Sequence, residues 1–370
     1  VQAARLPSGA PREAIGPPAN VETLLARRLP ALRAERMPLA RFLFLMSEMS
    51  GLPVSVQPGE LRLAAVTAEA PTSLDSPGAP VLEMLNAELH PLGLGPAADG
   101  TQIVLRRIAP PRRRVLEYPV GDLATDDGDA DRLAQWVQQL VAPATWAARG
   151  GEGTIVAAGA TLQIDHQERV GYEAILFLER YRAAAKLPLR SKYPPALLAP
   201  DSSFAAARRR LSETTTFTFS QPTALQAAAA WWQDELGLAV LVDWPALGQE
   251  RLWPASPMVV AAIDQPWGEA LSAALAPAGL GWRLIDGRTI EITSLERLAA
   301  EPQTAFYRLA AGAAADGQRL AAALAAEGPA DAAVVVDADR GILIARLAAP
   351  AQRRLAESLA AERLLLEADE

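Results

Sequence analysis

One phrase of sequence occurs twice in this chain, and its repetition constrains the fold more than any other feature. Residues 90–105 read HPLGLGPAADGTQIVL, and residues 276–292 read APAGLGWRLIDGRTIEI. Glycines and prolines elsewhere repeat at the same offset of 186 residues, in the pairs Gly51 and Gly237, Pro80 and Pro266, Pro91 and Pro277, and Gly93 and Gly279. A single offset held over ~40 residues predicts an internal duplication.

The repeated segment has the signals of a small mixed domain. Apolar residues at helical spacing begin at Leu39 and stop at Gly51, a residue type suited to the left-handed end of a helix. Pro80 fits the first turn of a second helix, and Asp99-Gly100 predicts a hairpin. Strands are expected at LPVSV and TQIVL in the first half, and at TFTFS, LAVLVDW, SPMVVAAI, GWRLI and TIEIT in the second.

Each copy is followed by a smaller segment in the order strand, helix, strand, strand, helix. The predicted fold class is therefore α+β, with an internal duplication A-B-A′-B′ of small mixed-sheet domains. The predicted boundaries are 1–20 for a flexible arm, 21–108 for A, 115–183 for B, 184–210 for a proline-containing basic linker, 211–295 for A′ and 303–366 for B′.

Composition excludes several functional classes. The chain has 370 residues and a net charge of −8, which argues against nucleic acid as a partner. It has no cysteine, so disulfides and thiolate metal sites are excluded. No apolar run approaches the roughly 18 residues of a membrane-spanning helix. The first twenty residues lack the pattern of a signal peptide, which is presumed to have been removed if one exists.

Catalytic and cofactor motifs are weak in this sequence. His90 and His166 are the only histidines, lie in separate segments, and have no recognisable orienting partner. GLGPAA at residues 93–98 fits a dinucleotide motif in letters. However, it follows a predicted helix and precedes a predicted strand, the reverse of the required order. The sequence predicts no enzyme activity, no catalytic residue and no cofactor.

Two sets of side chains are candidate binding residues. Asp127, Asp129 and Asp131 have the first spacings of a calcium loop, but Arg132 and Gln138 stand where glycine and a bidentate acid are needed. The alternative is a solvated acidic loop in which Asp131 caps a helix beginning at Arg132. Four tryptophans are candidates for binding a partner or a sugar ring. Trp231 neighbours Trp232 of a helical apolar stripe and should point away from it, and Trp244, Trp253 and Trp267 lie at a strand end, in a loop and at a helix start. Their alternative role is to cover the junction between A′ and B′.

The repeated segment resembles the short domain found at the N-termini of bacterial secretins and of some TonB-dependent receptors (the STN domain). The resemblance lies in SGLPVSV, PVLEMLNAELHPLGL and DGTQIVL, and again in LGLAVLVDW, PWGEALSAALAPAGLGW and DGRTIEI. The smaller segments resemble the KH-like β-α-β-β-α domains that follow in secretins and build rings. Residues 115–165 also resemble uncharacterised secretin-like envelope proteins. Secretins continue into a pore domain, and no such segment follows Glu370 in this sequence.

The resemblance implies a periplasmic, cell-envelope protein-interaction or scaffold protein, with other envelope proteins or further copies of itself as partners. Small mixed sheets have edge strands that can add a partner strand. The alternative function is peptidoglycan or glycan binding through the tryptophan-rich A′ segment. A hydrolase using scattered carboxylates is the third hypothesis, but no acids are paired at a recognisable spacing.

Overall fold

The computed structural model describes residues 20–108, 112–124, 126–201 and 204–366, with Asp127 described by its backbone alone. The predicted arm at 1–20 lies outside this part of the chain apart from Asn20. The described residues form two compact units. The first unit takes its residues from Val1–Ile108 and Ala205–Leu298, and the second from Ala109–Phe204 and Ala299–Glu370. Each unit therefore combines one segment from each half of the chain.

The first half contains α1 (Val21–Ala26), β1 (Leu32–Pro38), α2 (Leu39–Ser50), β2 (Val54–Val56), α3 (Pro58–Leu63), β3 (Pro71–Ser76), α4 (Val81–Leu89), β4 (Leu94–Asp99), β5 (Gln102–Arg107), β6 (Arg113–Pro119), α5 (Asp127–Leu140), β7 (Thr154–Ala158), β8 (Thr161–Gln167), α6 (Glu168–Ala184) and α7 (Pro195–Leu198). The second half contains α8 (Ala205–Ser212), β9 (Thr214–Ala224), α9 (Leu225–Leu236), β10 (Ala239–Val242), α10 (Trp244–Gln249), β11 (Pro257–Pro266), α11 (Trp267–Leu275), β12 (Leu280–Asp286), β13 (Thr289–Ser294), α12 (Leu295–Ala300), β14 (Gln303–Arg308), α13 (Ala314–Ala326), β15 (Ala333–Asp337), β16 (Ile342–Leu347) and α14 (Ala349–Ala361).

The first unit contains the same small-sheet arrangement twice. β5 lies between β2 and β4, and β13 lies between β10 and β12. In each sheet the first strand runs parallel to the central strand and the hairpin partner runs antiparallel. Two antiparallel ribbons complete the unit, one of β1 with β3 and one of β9 with β11. The helices α9, α10 and α11 begin 186 residues after α2, α3 and α4.

The Gly-Leu-Gly phrase turns the chain between a helix and a strand. Gly93 (φ 71°) and Gly279 (φ 73°) each end a short 3-10 turn, after α4 and α11 respectively. Glycine adopts this left-handed conformation at little steric cost, which explains why it recurs there. Leu94 and Leu280 then enter the core as the first residues of β4 and β12.

The two halves meet in the first unit along β2 and β10, which are buried over their whole length. Leu241 of β10 belongs to the same apolar cluster as Val54 and Val56 of β2. In the opposite direction, Phe44 of α2 packs against the apolar cluster of the A′ segment. The Nε2 atom of Gln226 donates a hydrogen bond to the Phe44 carbonyl at 3.0 Å. The edges of β2 and β10 are therefore enclosed within the unit.

The second unit consists of four layers. β8 lies between β6 and β7, and β16 lies between β14 and β15, with all neighbours antiparallel. The helices α5 and α6 contact the β6–β8–β7 sheet on one side and the β14–β16–β15 sheet on the other. The helices α13 and α14 cover the remaining face of that second sheet.

Residues along β14 and β16 alternate between two cores because both faces of this sheet are buried. Phe306 and Ile344 belong to the cluster shared with α5 and α6. Tyr307 and Leu343 belong to the cluster shared with α13 and α14. Two-sided burial agrees with the nearly continuous apolar sequences AFYRLA and GILIA.

A buried arginine ties α6 to the loop that follows β6. The Arg182 side chain is fully buried, and its guanidinium donates to both Asp122 carboxylate oxygens at 2.8 Å. It also donates to the Pro119 carbonyl at 2.6 Å and to the Tyr118 hydroxyl. The hydrogen bond from Arg182 lowers the pKa of Asp122 to about 2. The buried cation is thus paired and hydrogen-bonded, which makes its burial tolerable.

Several elements differ from the sequence expectations. The predicted linker at 184–210 contains α7 and most of α8, because apolar side chains such as Leu198 and Leu211 are buried there. The prediction that Asp131 caps a helix beginning at Arg132 is wrong. α5 begins five residues earlier, and Asp126 Oδ1 accepts a hydrogen bond from the Asp129 amide at 2.8 Å. The elements α1, β1, α3, α10 and α12 were not anticipated.

No helix in the described part of the chain is both long and apolar enough to cross a membrane.

Replacing Phe306 tests the two-sided burial of the β14–β16–β15 sheet. Phe306→Ala is expected to lower the free energy of unfolding by about 3–5 kcal/mol, because it leaves a cavity at a fully buried site. Urea unfolding measures this loss. The matched control is Glu117→Ala on β6, an exposed position expected to change stability by no more than about 0.5 kcal/mol. Equal effects of the two substitutions would contradict the layer order.

Candidate protein-interaction surface

Strand edges are the first places to look for a protein-binding site, because an edge presents unpaired backbone donors and acceptors. Several edges in this structure are blocked. β2 and β10 are buried at the junction of the two halves in the first unit. β4 contains Pro96, which has no backbone N–H to donate. β6 carries Arg113, Arg114 and Glu117 and ends at Pro119, features that discourage strand addition.

Charged side chains block the outer edge of β14. The Asp201 carboxylate accepts a hydrogen bond from the Phe306 amide at 2.7 Å. The Arg180 guanidinium donates to the Thr304 carbonyl at 2.8 Å and to Asp201 at 2.6 Å, and lies 4.7 Å from the centre of the Phe306 ring. These side chains occupy the positions that an added strand would take.

The β9–β11 pair, which we term the A′ ribbon, is the longest strand pair with an accessible edge. β9 spans eleven residues and carries no charge, with Pro222 near its C-terminal end. β11 spans ten residues with one charge, at Asp264, and has prolines only at its two ends, Pro257 and Pro266. Within the described residues, neither strand has a second hydrogen-bonded neighbour. The outer face carries Thr218, Ala261 and Ile263, all exposed, and the Ile263 side chain is 76% exposed.

An aromatic platform holds the A′ ribbon from beneath. Phe217 stacks on Trp267, with ring centroids 5.4 Å apart and planes at 19°. Trp231 lies between Phe217 and Phe219, at 5.2 and 5.3 Å from their ring centres. Trp232 is fully buried under the same rings. Aromatic contacts at these distances are favourable beyond the apolar area that they bury, so they stabilise the packing of the ribbon on these rings.

The β1–β3 pair, which we term the A ribbon, differs from the A′ ribbon in charge. β1 carries Arg33, Glu35 and Arg36, and β3 carries Asp75. Charged residues on an edge oppose pairing with another strand. The two ribbons occupy corresponding places in the unit, yet the A′ ribbon lacks this protection over most of its length. β7 is a second edge strand with no charge, and it is five residues long.

The four candidate tryptophans have different environments. Trp244 and Trp267 are buried, with 2% and 4% exposure, so the expectation that they reach a partner is wrong. Trp231 is half-buried within the aromatic platform. Trp253 is half-buried, and its amide donates to the Ser256 hydroxyl at 2.8 Å. Partner binding by Trp231 and Trp253 stays a prediction. Sequence spacing could not separate these cases, because tertiary packing decides which ring faces are covered.

The candidate calcium residues lie on a helix. Asp127, Asp129 and Asp131 occupy the first turns of α5, and Asp129 pairs with Arg132 at 2.5 Å. A calcium loop needs its ligands to converge on one point. Among the described side chains, which do not include that of Asp127, no group of three or more His, Cys, Asp or Glu could hold a metal ion.

Buried carboxylates in the A′ segment serve ion pairing. Glu291 is almost fully buried, and its carboxylate accepts a hydrogen bond from Arg283 at 2.5 Å. Burial raises the pKa of Glu291. Asp243 accepts from the Thr293 hydroxyl at 2.8 Å and from Arg297 at 3.1 Å. Each carboxylate is held by its own cation, an arrangement typical of structural pairs.

His90 and His166 have contrasting surroundings. His90 is exposed at the end of α4. His166 is 5% exposed; its Nε2 lies 2.9 Å from the Thr145 hydroxyl, and its Nδ1 accepts a hydrogen bond from the Gln167 amide at 2.7 Å. Burial lowers the pKa of His166, so the ring is neutral at pH 7. Its contacts, including an edge-on contact with Trp146 at 4.7 Å, are those of a core residue.

No protein-family model matches the chain, and no curated protein matches it. Crystal structures of the N-terminal domain of the secretin XcpQ from Pseudomonas aeruginosa are similar. A dimeric mutant of that domain is 12% identical, covers 89% of this chain and 98% of its own, and has a TM-score of 0.18. The non-mutant domain is 12% identical, covers 90% and 98%, and has a TM-score of 0.17.

A third structure, XcpQN012, is also 12% identical, covers 90% of this chain and 99% of its own, and has a TM-score of 0.17. Scores this low mean that the chains do not superpose as wholes. The secretin resemblance of this chain therefore rests on its sequence motifs.

The environment of His166 predicts a loss of stability at acidic pH. Its folded pKa is below the unfolded value of about 6.5, so protons bind preferentially to the unfolded chain. Stability is complete above pH 6.5 and falls as pH drops from there towards the folded pKa. The loss is about 1.4 kcal/mol for each pKa unit by which the folded value is lowered.

Urea unfolding between pH 7.5 and 5 measures this effect. His166→Gln is expected to flatten the pH dependence in this range, whatever its effect on stability at pH 7.5. The control His90→Gln, at an exposed site, is expected to keep the slope of the native chain. A steep slope retained in His166→Gln would contradict the assignment.

Proposed function

We propose that this chain is a non-enzymatic protein-interaction scaffold of the bacterial cell envelope, which binds an extended segment of a partner protein along the A′ ribbon. The observation that carries the proposal is a long, exposed and nearly uncharged strand pair fixed on an aromatic platform. An added strand gains affinity from main-chain hydrogen bonds and specificity from alternate side chains. Thr218, Ala261 and Ile263 would contact those side chains from the outer face of the ribbon.

We also propose that the chain consists of four domains that arose by an internal duplication. In this proposal A and A′ resemble secretin N-terminal domains, and B and B′ resemble KH-like domains. Support comes from the repeated Gly-Leu-Gly turns, from the like order of strands in the two small sheets of the first unit, and from the order β-α-β-β-α in the second. The motif resemblance to secretins supports a periplasmic location.

The central part of the A′ ribbon is the expected pairing site. Register is regular where Val260, Ala261 and Ala262 face Phe219, Thr218 and Phe217, and it shifts on either side. Near one end, the amide of Asp264 (φ 50°) donates to the Thr216 hydroxyl at 3.0 Å. Bulges twist an edge away from pairing, so the regular stretch between them is the part that can accept a strand.

Glycan binding through the tryptophans receives less support. A sugar-binding platform needs exposed ring faces. Trp244 and Trp267 are buried, and Trp231 contacts other aromatic rings on several sides. We therefore favour an extended peptide over peptidoglycan as the ligand of the A′ segment.

A lysine on the A′ ribbon is expected to weaken peptide binding. Extended peptides would be selected from a displayed library against the whole chain, and their binding would be mapped by hydrogen exchange. Protection is expected on β9 or β11. Thr218→Lys is expected to weaken the selected peptides about tenfold, or about 1.4 kcal/mol, because a charge on an edge strand opposes pairing.

The matched control is Thr154→Lys on β7, the same substitution at another exposed strand position, which is expected to leave peptide affinity unchanged. Circular dichroism of both variants checks that the fold is retained. Peptides that protect other strands, or that bind Thr218→Lys as tightly as the native chain, would rule out the A′ ribbon as the binding site.

A further inference from the structure

The contact between the B and B′ segments joins two unlike faces. The helices α5 and α6 of B cover the outer face of the B′ sheet, formed by β14, β16 and β15. When similar domains are joined by unlike faces, one face of each kind is left free. Here the free faces are the outer face of the B sheet, formed by β6, β8 and β7, and the outer side of α13 and α14. A further copy could bind at either end only if these free faces carried apolar side chains like those in the contact between the α5–α6 face and the B′ sheet.

The free sheet face is polar at its central cross-strand pair, where the buried sheet face is apolar, although it also carries Val115 and Val156, each 56% exposed. In the B′ sheet, Phe306 is paired across the strands with Ile344, and both are fully buried. The corresponding cross-strand pair in the B sheet is Glu117 with Gln163. Both are exposed, and their side chains lie 3.5 Å apart. One strand pair further along, Thr161 stands where the B′ sheet has the buried Ile342.

The free helix face lacks the aromatic side chains of the buried helix face. In α6, Phe177 contacts the Phe306 ring at 5.3 Å, and the Tyr181 hydroxyl donates to Asp337. The register of α14 against α6 follows from their core residues, since Leu355 and Leu359 correspond to Ala174 and Leu178, all fully buried. With this register, α14 has Ser358 in place of Phe177, and Glu362 follows its end in place of Tyr181.

The helix α13 likewise has a small residue where α5 has an aromatic one. Val137 and Leu324 correspond as buried residues of the two helices. Trp136 of α5 is half-buried and lies 5.9 Å from Tyr181, edge to face. The corresponding residue of α13 is Ala323, which is exposed.

We infer that domain pairing in the second unit is intramolecular and stops at two domains. The outer face of the B′ sheet binds the α5–α6 face of the same chain. The polar side chains at the two ends of the stack are comparable to the capping repeats of a solenoid. They oppose the addition of a further copy at either end, so we expect no self-assembly through these two faces. The inference is independent of peptide binding by the A′ ribbon.

Light scattering coupled to size exclusion, at tens of micromolar, tests the inference on the full chain. The native chain is expected to elute as a 39.2 kDa monomer. A first variant introduces on the outer face of the B sheet the apolar residues of the B′ sheet (Glu117→Phe, Thr161→Ile and Gln163→Ile). A second variant restores aromatic residues on the helix end (Ala323→Trp, Ser358→Phe and Glu362→Tyr). Each variant alone is expected to stay monomeric, and an equimolar mixture is expected to form a 1:1 complex.

A control variant carries Glu83→Ile on α4 and Glu269→Phe on α11, exposed helix positions outside the stack, and is expected to stay monomeric alone and in either mixture. Circular dichroism verifies folding, and a misfolded variant is replaced by the corresponding single substitution at Gln163 or Ser358. A native chain that forms a stable oligomer would overturn the inference. A mixture of folded variants that stays monomeric would overturn it as well, because polarity would then not be what closes the stack.

Discussion

A single guanidinium, that of Arg180, unites the interactions on which the second unit depends. It donates to the backbone of β14, pairs with Asp201, and lies over the Phe306 ring at 4.7 Å. A planar cation can satisfy these contacts at once, which an ammonium group could not. The same residue thus holds B against B′ and blocks the β14 edge. The pairing of similar segments from the two halves of the chain builds this unit and the first unit alike.

This pairing was not predictable from the sequence, although most of its parts were. Glycine adopts the left-handed conformation that other residues avoid, and proline has a fixed φ, so Gly51, Gly93 and Pro80 marked turns and helix ends in advance. β1 was missed because Arg33, Glu35 and Arg36 hide its alternation. Local signals carry no information about which segments meet, since that choice depends on the shapes of two surfaces formed only after folding.

The interaction surface shows the same limit. Tryptophans in loops and at helix starts suggested exposed contacts, yet Trp267 and Trp231 lie beneath the A′ ribbon and support it. The strand TFTFS was predicted from the sequence. Its lack of charge became informative only when it was compared with the charged β1 of the A ribbon. Because Trp267 is buried and Trp231 is half-buried, these side chains support the ribbon. Because β9 has an accessible edge, it becomes the candidate binding strand.

The two halves of the chain differ in opposite ways in the two units. In the second unit, the B′ sheet keeps an apolar outer face at Phe306 and Ile344, whereas the B sheet has Glu117 and Gln163 at the matching pair. In the first unit, the A ribbon carries charges and the A′ ribbon does not. Within the described residues, α6 covers the apolar outer face of the B′ sheet, whereas the edge of the uncharged β9 remains accessible.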